Sequence, residues 1–397
     1  MSWRPVVTVT DDAASSSSKA TEQWVYLDHN ATTPLHPDAL AAMCEAERRA
    51  WANPASVHRP GQVARAELES ARRAVAALVG KHPRDVTLTS GGTEANNLAL
   101  WQPFLADPCV GTLLVSRLEH PSVVRAAERL ARAGVEVRWL AVGAAGVVSA
   151  AAVSAALQGA GGPILVALQA VNHETGVVQP VAAVADVVHR AGAMLHVDAV
   201  QAVGKVPRCW QGADTVAVAA HKFYGPKGIG ALVTAPSMKL RPLLGGGEQE
   251  RGGRPGTQSA ALAAGMAVAA KRALSGPERY LALAPLRDAL ERGLMAIAAA
   301  CGLTVVRNGD AGRAPHVSNL SWVGWSAPEL CAALDLERVA VSSGSACAAG
   351  TAEPSPVITA MVGAERARGA VRVSLGENTS RQDVARALAA WRRVVAR

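Results

Sequence analysis

The chain has 397 residues, of which half are hydrophobic and 18% are charged, and its formal net charge at pH 7 is +8. This charge is modest for the length, and the basic side chains are scattered through predicted helices, which argues against nucleic-acid binding. No apolar run approaches the roughly 20 residues that span a bilayer, which argues against a membrane protein. Because domains usually contain about 100–200 residues, we expect the chain to form more than one domain.

The first segment, residues 1–24, is predicted to be a disordered, serine-rich tail. It lacks an apolar signal core and carries Asp11 and Asp12, which argues against a secretory or mitochondrial leader. The 6 cysteines of the chain lie far apart and form no C-x-x-C pair, so neither a disulfide framework nor a metal site is indicated. We therefore expect reduced thiols and a cytoplasmic protein.

Short apolar runs alternate with helical patterns along residues 25–260, the predicted large domain. Strands are predicted at DVTLTS, GTLLVS, VEVRWLAV, GPILVALQAV and AMLHVDAV, with helices between several of them. This alternation predicts an α/β fold with a mostly parallel sheet, whose ligands bind beyond the carboxyl ends of the strands. Residues 261–397 begin with two long alanine-rich helical stretches, continue with short strands and end in a helix, which predicts a smaller α+β domain.

The motif TSGGTEANN, residues 89–97, places two glycines between a predicted strand and a predicted helix. Bare glycines followed by a helix N-terminus present unpaired backbone N–H groups, which suit a phosphate. A plain strand–helix turn is the alternative interpretation of the motif.

The motif LHVDAVQAVGK, residues 195–205, puts Asp198 at the end of an apolar strand. A carboxylate there costs several kcal/mol unless it is paired or hydrogen-bonded. Asp198 either caps the next turn or pairs with a cationic ring nitrogen of a ligand.

The motif AVAAHKFYGPKGIGAL, residues 217–232, puts Lys222 directly after another apolar strand. Desolvation favours the neutral amine, which is the nucleophile of Schiff-base chemistry, although a surface lysine with a buried stem is the alternative. Together the three motifs supply a phosphate cradle, an acid for a pyridinium nitrogen and an amine, which is the set that pyridoxal phosphate requires.

The chain from about Tyr26 to its C-terminus resembles the cysteine desulfurases of the NifS/IscS type, within the class V aminotransferase family. The resemblance rests on ordered blocks that include YLDHNATTP, NPASVH, TSGGTEANN, EHPSV, ETGVVQP, HVDAVQAVGK, HKFYGPKGIGAL, QERGGRPGT and SSGSAC followed by EPS. It implies a fold-type I pyridoxal enzyme that is a homodimer, with its active site at the subunit boundary.

The resemblance also implies a role for each matching residue. Lys222 would bind pyridoxal 5'-phosphate covalently, and Asp198 would pair with the pyridinium nitrogen. Gln201 would contact the phenolic oxygen of the ring. His120, in EHPSV, would stack on the ring and help to move protons.

Further matching residues would bind the phosphate and the substrate. Gly92, Thr93 and His221 would hold the phosphate, and Thr257 would reach it from the other subunit. Arg372 would bind the substrate carboxylate, for which a bidentate guanidinium is well shaped.

Cys347 lies in SSGSACAAG, residues 342–350, a run of small residues that favours a mobile segment. It aligns with the sulfur-accepting cysteine of the family. The resemblance implies that Cys347 attacks the sulfur of L-cysteine and becomes a persulfide while alanine is released. A sulfur-acceptor protein, in iron–sulfur cluster assembly or another thiolation pathway, would then take the sulfur.

Two positions depart from the family pattern. His173 stands where an asparagine usually contacts the cofactor, and an imidazole N–H could make the same hydrogen bond at greater reach. Ala219 stands where a serine often donates to the phosphate, which predicts weaker cofactor binding.

Two other functions remain open from the sequence. Another class V pyridoxal enzyme, such as a selenocysteine lyase or an aminotransferase, would keep Lys222 and Asp198 without the same need for Cys347. A non-catalytic scaffold that has lost its cofactor is suggested by Ala219 and His173.

Overall fold

The computed structural model describes residues 24–105, 110–236, 238–310, 312–344 and 353–396. The predicted tail, apart from Trp24, and the predicted sulfur-accepting Cys347 lie outside these ranges. Within them, no helix has both the length and the hydrophobicity needed to cross a bilayer.

The strands are, in chain order, β1 (Val25–Tyr26), β2 (Val86–Thr89), β3 (Thr112–Ser116), β4 (Glu136–Leu140), β5 (Ile164–Gln169), β6 (Met194–Asp198), β7 (Thr215–Ala219), β8 (Gly230–Thr234), β9 (Val305–Arg307), β10 (Val317–Trp322), β11 (Val339–Ala340) and β12 (Ala370–Ser374). The strands predicted from the apolar runs between residues 86 and 198 are all present.

The helices are, in chain order, α1 (Pro37–Arg49), α2 (Arg59–Val79), α3 (Gly92–Trp101), α4 (Pro121–Arg132), α5 (Ala150–Leu157), α6 (Val181–Arg190), α7 (Ala260–Ala273), α8 (Gly276–Leu281), α9 (Ala284–Ala300), α10 (Ala327–Leu336), α11 (Pro356–Val362), α12 (Ala364–Ala367) and α13 (Arg381–Val395). Two alanine-rich helices are expected after residue 257, whereas the structure has three there, α7, α8 and α9. Prolines in the first turns of α8 and α9 explain these breaks, because proline favours a helix start and disfavours a helix interior.

In the described part of the chain the largest sheet has seven strands, in the order β2–β8–β7–β6–β5–β3–β4. The pairs from β7 to β4 are parallel, whereas β8 pairs antiparallel with both β7 and β2. The central strands β3 and β7 are buried along their whole length, as expected for a sheet covered on both faces. The prediction of an α/β fold with a mostly parallel sheet is confirmed.

A second core forms around the small antiparallel sheet β12–β10–β9. Its large side chains include Trp322 and Trp391, whose rings stack with centroids 6.4 Å apart. The first strand joins this core, because β1 pairs in parallel with β11 and buries Val25 and Leu27 there. Residues from both ends of the chain therefore meet beside the large sheet.

Candidate active site

One cavity, of about 190 Å³, lies at the carboxyl ends of the parallel strands. Strand β6 ends at Asp198, and β7 is followed within three residues by Lys222. The predicted site residues that line this cavity are Gly92, Thr93, His120, His173, Asp198, Gln201, His221, Lys222 and Arg372. The structure thus brings most of the predicted site residues together around one cavity.

Two predicted residues are not placed in this cavity. Thr257 is exposed and lines a separate depression, beside Ser90 and Arg254. This position is compatible with a role in the site of another subunit. Cys347 falls outside the described residues, so its position relative to the cavity stays a prediction.

The amine of Lys222 points at the backbone of the segment after β1. Its Nζ donates to the carbonyl oxygen of Ala31 at 2.8 Å and also to that of Asn30. A short 3₁₀ turn, which follows β7, directs the half-buried side chain there. Lys222 is therefore not a surface lysine, and its side chain lines the cavity.

The carboxylate of Asp198 is buried but hydrogen-bonded on both oxygens. The backbone N–H of Val200 donates to Oδ1 at 3.0 Å, and Asn96 Nδ2 donates to Oδ2 at 2.8 Å. The bond from Val200 is the turn cap that the first interpretation of Asp198 predicted. The side chain also lines the cavity, as pairing with a ring nitrogen of a ligand requires. These bonds offset part of the cost of a buried charge.

The start of α3 forms a cradle of backbone groups. Gly91 precedes the helix with φ of 153°, and no side chain caps the helix there. A Cβ on Gly92 would stand 2.8 Å from a methyl carbon of Val200, so a larger residue would force a shift. The glycines thus keep helix N–H groups open to an anion in the cavity.

Three histidines face the cavity, and the pKa of each is lowered. Burial lowers the pKa of His221 to about 4, helped by the positive charge of Lys222. Burial also lowers the pKa values of His120 and His173, whose rings meet edge to face with centroids 5.4 Å apart. The three imidazoles are therefore neutral at pH 7, and each can offer one N–H donor.

His173 has unused hydrogen-bonding capacity. The residue is 5% exposed, and both ring nitrogens are buried without a hydrogen-bond partner among the described residues. Such a buried imidazole is costly in the free protein and would gain a bond from a polar ligand.

Arg372 reaches the cavity from β12, on the second core. Its guanidinium donates to the carbonyl oxygen of His173 at 3.0 Å and to Asp28 Oδ1 at 2.6 Å. Its Nε is buried and has no hydrogen-bond partner in the part of the chain that the structure describes. The residue is 2% exposed and lines the cavity, so this cation lies inside the protein at a position suited to a carboxylate ligand.

The amide of Gln201 is oriented by two contacts. Lys205 Nζ donates to its Oε1 at 2.7 Å, and its Nε2 donates to the carbonyl oxygen of Asn30 at 2.9 Å. Because the carbonyl oxygen of Asn30 can only accept, the amide cannot be flipped. Gln201 therefore presents its donor group beside Lys222.

Sequence reasoning missed several polar residues of the same cavity, namely Asn30, Asn96, Ser122 and Gln169. Asn96 lies within the quoted motif TSGGTEANN, yet nothing in its spacing distinguishes it from the neighbouring Asn97. Its burial on the inner face of α3 gives it its contacts.

These residues fit pyridoxal phosphate. The open N-terminus of α3 suits the phosphate, the Asp198 carboxylate suits a protonated ring nitrogen, and the Lys222 amine suits the aldehyde. His173 also lines the cavity, and the N–H of its neutral ring suits a ring oxygen.

Comparison with known proteins agrees with this chemistry. The description "Aminotransferase class-V" belongs to the family profile that matches residues 25–387. A cysteine desulfurase of Cereibacter sphaeroides is 40% identical over 369 residues, covering 92% of this chain and 94% of that protein. An IscS-like cysteine desulfurase of Mycobacterium tuberculosis is 40% identical over 383 residues, covering 94% of this chain and 96% of that protein.

A solved structure of a NifS-like protein from Rickettsia africae superposes with a TM-score of 0.84. It is 27% identical, and the match covers 94% of this chain and 99% of that one. Fold and sequence agree over nearly the whole length, and the chain belongs to the aminotransferase class-V family.

Proposed function

We propose that the protein is a pyridoxal phosphate-dependent cysteine desulfurase, which converts L-cysteine to L-alanine and keeps the sulfur as a persulfide. The observation that carries the proposal is the convergence of the Lys222 amine, the Asp198 carboxylate and the Arg372 guanidinium on one cavity. The printed names of the similar proteins support the same activity.

The cofactor would be held at both ends. Gly92, Thr93 and His221 would bind its phosphate, and Lys222 would bind its aldehyde carbon. When bound, pyridoxal phosphate withdraws electrons from the bonds at the substrate's α-carbon. Asp198, held by two hydrogen bonds, would keep a proton on the ring nitrogen.

The ring oxygen would lie among hydrogen-bond donors. Gln201 presents its NH₂ group beside Lys222, since its carbonyl is occupied by Lys205. His173 would add an N–H in place of the usual asparagine. Such donors favour the ionised form of the oxygen.

Substrate binding would depend on Arg372. Arg372 lines the cavity but is only 2% exposed, so water competes poorly for its guanidinium, and a charge-assisted hydrogen bond to a carboxylate there is strong. Its bond to Asp28 keeps the guanidinium in place before the substrate arrives. L-cysteine would thus be oriented by its carboxylate.

Proton transfer would involve Lys222 and His120. The Nζ of Lys222 would accept the proton from the substrate's α-carbon, because substrate binding frees this amine. His120 would pack on the cofactor ring and help to move protons.

Cys347 would receive the sulfur. Its thiolate forms a bond to the substrate's sulfur while the bond between that sulfur and the β-carbon breaks. The electron pair stays with the carbon skeleton, which takes up a proton and leaves as alanine, so no external oxidant or reductant is needed. Burial raises the pKa of Cys209 to about 11 and that of Cys331 to about 12, which keeps these thiols protonated and poorly reactive.

The assembly and location of the protein are also part of the proposal. We propose a cytoplasmic homodimer in which the exposed Thr257 completes the phosphate site of the partner subunit. Each subunit would have a large domain at 25–260 and a small domain at 261–397, which carries the Cys347 segment. A sulfur-acceptor protein, in iron–sulfur cluster assembly or another thiolation pathway, would take the persulfide sulfur.

The test is product analysis with purified protein, pyridoxal phosphate and L-cysteine. We expect equal amounts of alanine and of sulfide released by a thiol reductant, and neither product from Lys222→Ala. Turnover of selenocysteine with little turnover of cysteine would indicate a selenocysteine lyase instead. A protein that binds no pyridoxal phosphate would indicate a non-catalytic scaffold.

A further inference from the structure

A chain of hydrogen bonds between buried polar side chains ends at Asp198 in the candidate site. Thr215, His196, Asn96 and Asp198 are each at most 7% exposed and lie on β7, β6 and α3. Thr215 Oγ1 is 2.8 Å from His196 Nδ1, and His196 Nε2 is 3.0 Å from Asn96 Oδ1. Asn96 Nδ2 is 2.8 Å from Asp198 Oδ2, so this chain of hydrogen bonds ends at the carboxylate in the cavity.

Chemistry fixes the direction of each of these bonds. The carboxylate of Asp198 can only accept, so Asn96 presents its NH₂ group there and its carbonyl oxygen to His196. His196 must therefore carry a proton on Nε2. Burial lowers the pKa of His196 to about 4, so the ring is neutral at pH 7 and Nδ1 accepts from the Thr215 hydroxyl.

The second amide proton of Asn96 leads to His120. Asn96 Nδ2 donates to Ser122 Oγ at 2.9 Å, and Ser122 Oγ lies 2.8 Å from His120 Nδ1. The backbone N–H of Ser122 donates to the same Nδ1 at 3.1 Å. A nitrogen that accepts from a backbone N–H carries no proton, so the neutral His120 ring has its proton on Nε2.

We propose that Asn96 is a positioning residue that sets the carboxylate of Asp198 and, through the Ser122 hydroxyl, acts with the Ser122 backbone N–H to hold the single proton of His120 on Nε2. One amide thus serves the two side chains that would contact the cofactor ring. The inference rests on the proposed function, because the cofactor gives this coupling its purpose.

The surroundings of His120 favour the same protonation state. Its ring faces Asp198, Lys222 and the edge of His173. Asp198 favours a second proton on His120, while burial and the charge of Lys222 oppose it, and burial is the largest effect.

The test is nuclear magnetic resonance of the full chain with ¹⁵N-labelled histidine, first without cofactor. Signals are assigned from His120→Gln and His196→Gln. We expect both rings to be neutral Nε2–H tautomers between about pH 6 and 8. An Nδ1–H tautomer or a doubly protonated ring for His120 at pH 7 would overturn the inference, whatever the variants do.

The variant that probes the coupling is Asn96→Asp, which keeps the side-chain shape but sets a second carboxylate against Asp198. Two carboxylates at that distance share a proton, so Asp198 loses charge. With ¹⁵N-labelled pyridoxal phosphate, we expect the ring-nitrogen signal to move toward that of an unprotonated pyridine. The pair keeps one negative charge in all, so its attraction for a proton on His120 is retained. The Ser122 hydroxyl turns to the new acceptor and no longer donates to His120 Nδ1, so the midpoint of His120 titration rises by about one pH unit.

The matched control is Asn97→Asp, one residue along α3. Asn97 is partly exposed and donates to the carbonyl oxygens of Thr93 at 2.9 Å and Ser122 at 3.5 Å, so this variant introduces the same side chain without touching Asp198 or the Ser122 hydroxyl. Joint changes at His120 and the cofactor nitrogen in Asn96→Asp alone support the proposal. A change at one without the other, no change, or equal changes in Asn97→Asp contradicts it.

Failure of the proposed function is separable from failure of this inference. A wild-type protein that binds pyridoxal phosphate but makes no alanine refutes the desulfurase activity. The histidine tautomers, read without cofactor, do not depend on that result.

Discussion

Ala219 provides a sharp test of how the cavity holds the cofactor phosphate. The residue ends β7, is 1% exposed and lines the cavity. Its Cβ lies 3.6 Å from the position that a Cβ on Gly92 would take, so it borders the proposed phosphate cradle. The substitution Ala219→Ser adds a hydroxyl donor at this border.

The expected gain follows from one new hydrogen bond to a charged group. Such a bond contributes about 1.5–3 kcal/mol. At about 1.4 kcal/mol for each factor of ten, pyridoxal phosphate should bind about 10- to 150-fold more tightly. The assay is equilibrium titration of the cofactor-free protein, followed by absorbance, with the rate of cofactor release as a second readout.

The matched control is Ala217→Ser, on the same face of β7 two residues earlier. Ala217 packs among apolar residues that include Leu113 and Leu232, away from the cavity. This variant should bind the cofactor as the wild type does and lose about 1–3 kcal/mol of folding stability, because its hydroxyl is buried without a partner. Unchanged cofactor affinity in Ala219→Ser, with a folded protein, would refute the assignment of this end of the cavity to the phosphate.

Three further predictions concern substrate binding, sulfur transfer and acid stability. Arg372→Lys should raise KM for L-cysteine about 10- to 100-fold, since one charge-assisted hydrogen bond is lost, and a KM within twofold of wild type in steady-state assays would contradict the role of Arg372. Cys347→Ser should still change the visible spectrum on adding L-cysteine yet form no protein-bound persulfide, and mass spectrometry showing added sulfur elsewhere would contradict its role. Burial lowers the pKa values of His29 and His196 to about 4, below the ordinary value of 6.5. The unfolded chain therefore binds more protons between these values, so the free energy of unfolding should fall as pH decreases from about 6.5 to 4, and a flat profile in urea titrations would contradict this.

The large sheet and the residues at its strand ends could be predicted from local pattern. Short apolar runs bounded by turn residues mark the buried strands, and adjacent parallel strands bring Asp198 and Lys222 to one edge. The direction of the strands was harder to predict from the sequence, because the antiparallel β2 and β8 have the same apolar character as their parallel neighbours.

Contacts between distant parts of the chain could not be predicted from local pattern. Arg372 reaches the carbonyl oxygen of His173 across 199 residues, and only the resemblance to known enzymes indicated its role. The two-residue strands β1 and β11 are too short to show a period, although their pairing brings the N-terminal segment to the second core. Asn96 is missed because its proposed role depends on three partners on two other elements, Ser122 on α4 and both His196 and Asp198 on β6.

Trapping the cofactor on the protein tests the central claim most directly. Borohydride reduction of the protein with bound pyridoxal phosphate, followed by peptide mass spectrometry, should place the cofactor on Lys222. The nearby Lys205 and Lys227 should stay unlabelled, Lys205 because its amine is buried against Gln201. Cofactor fixed at either of those lysines, or no fixed cofactor at all, would contradict the account.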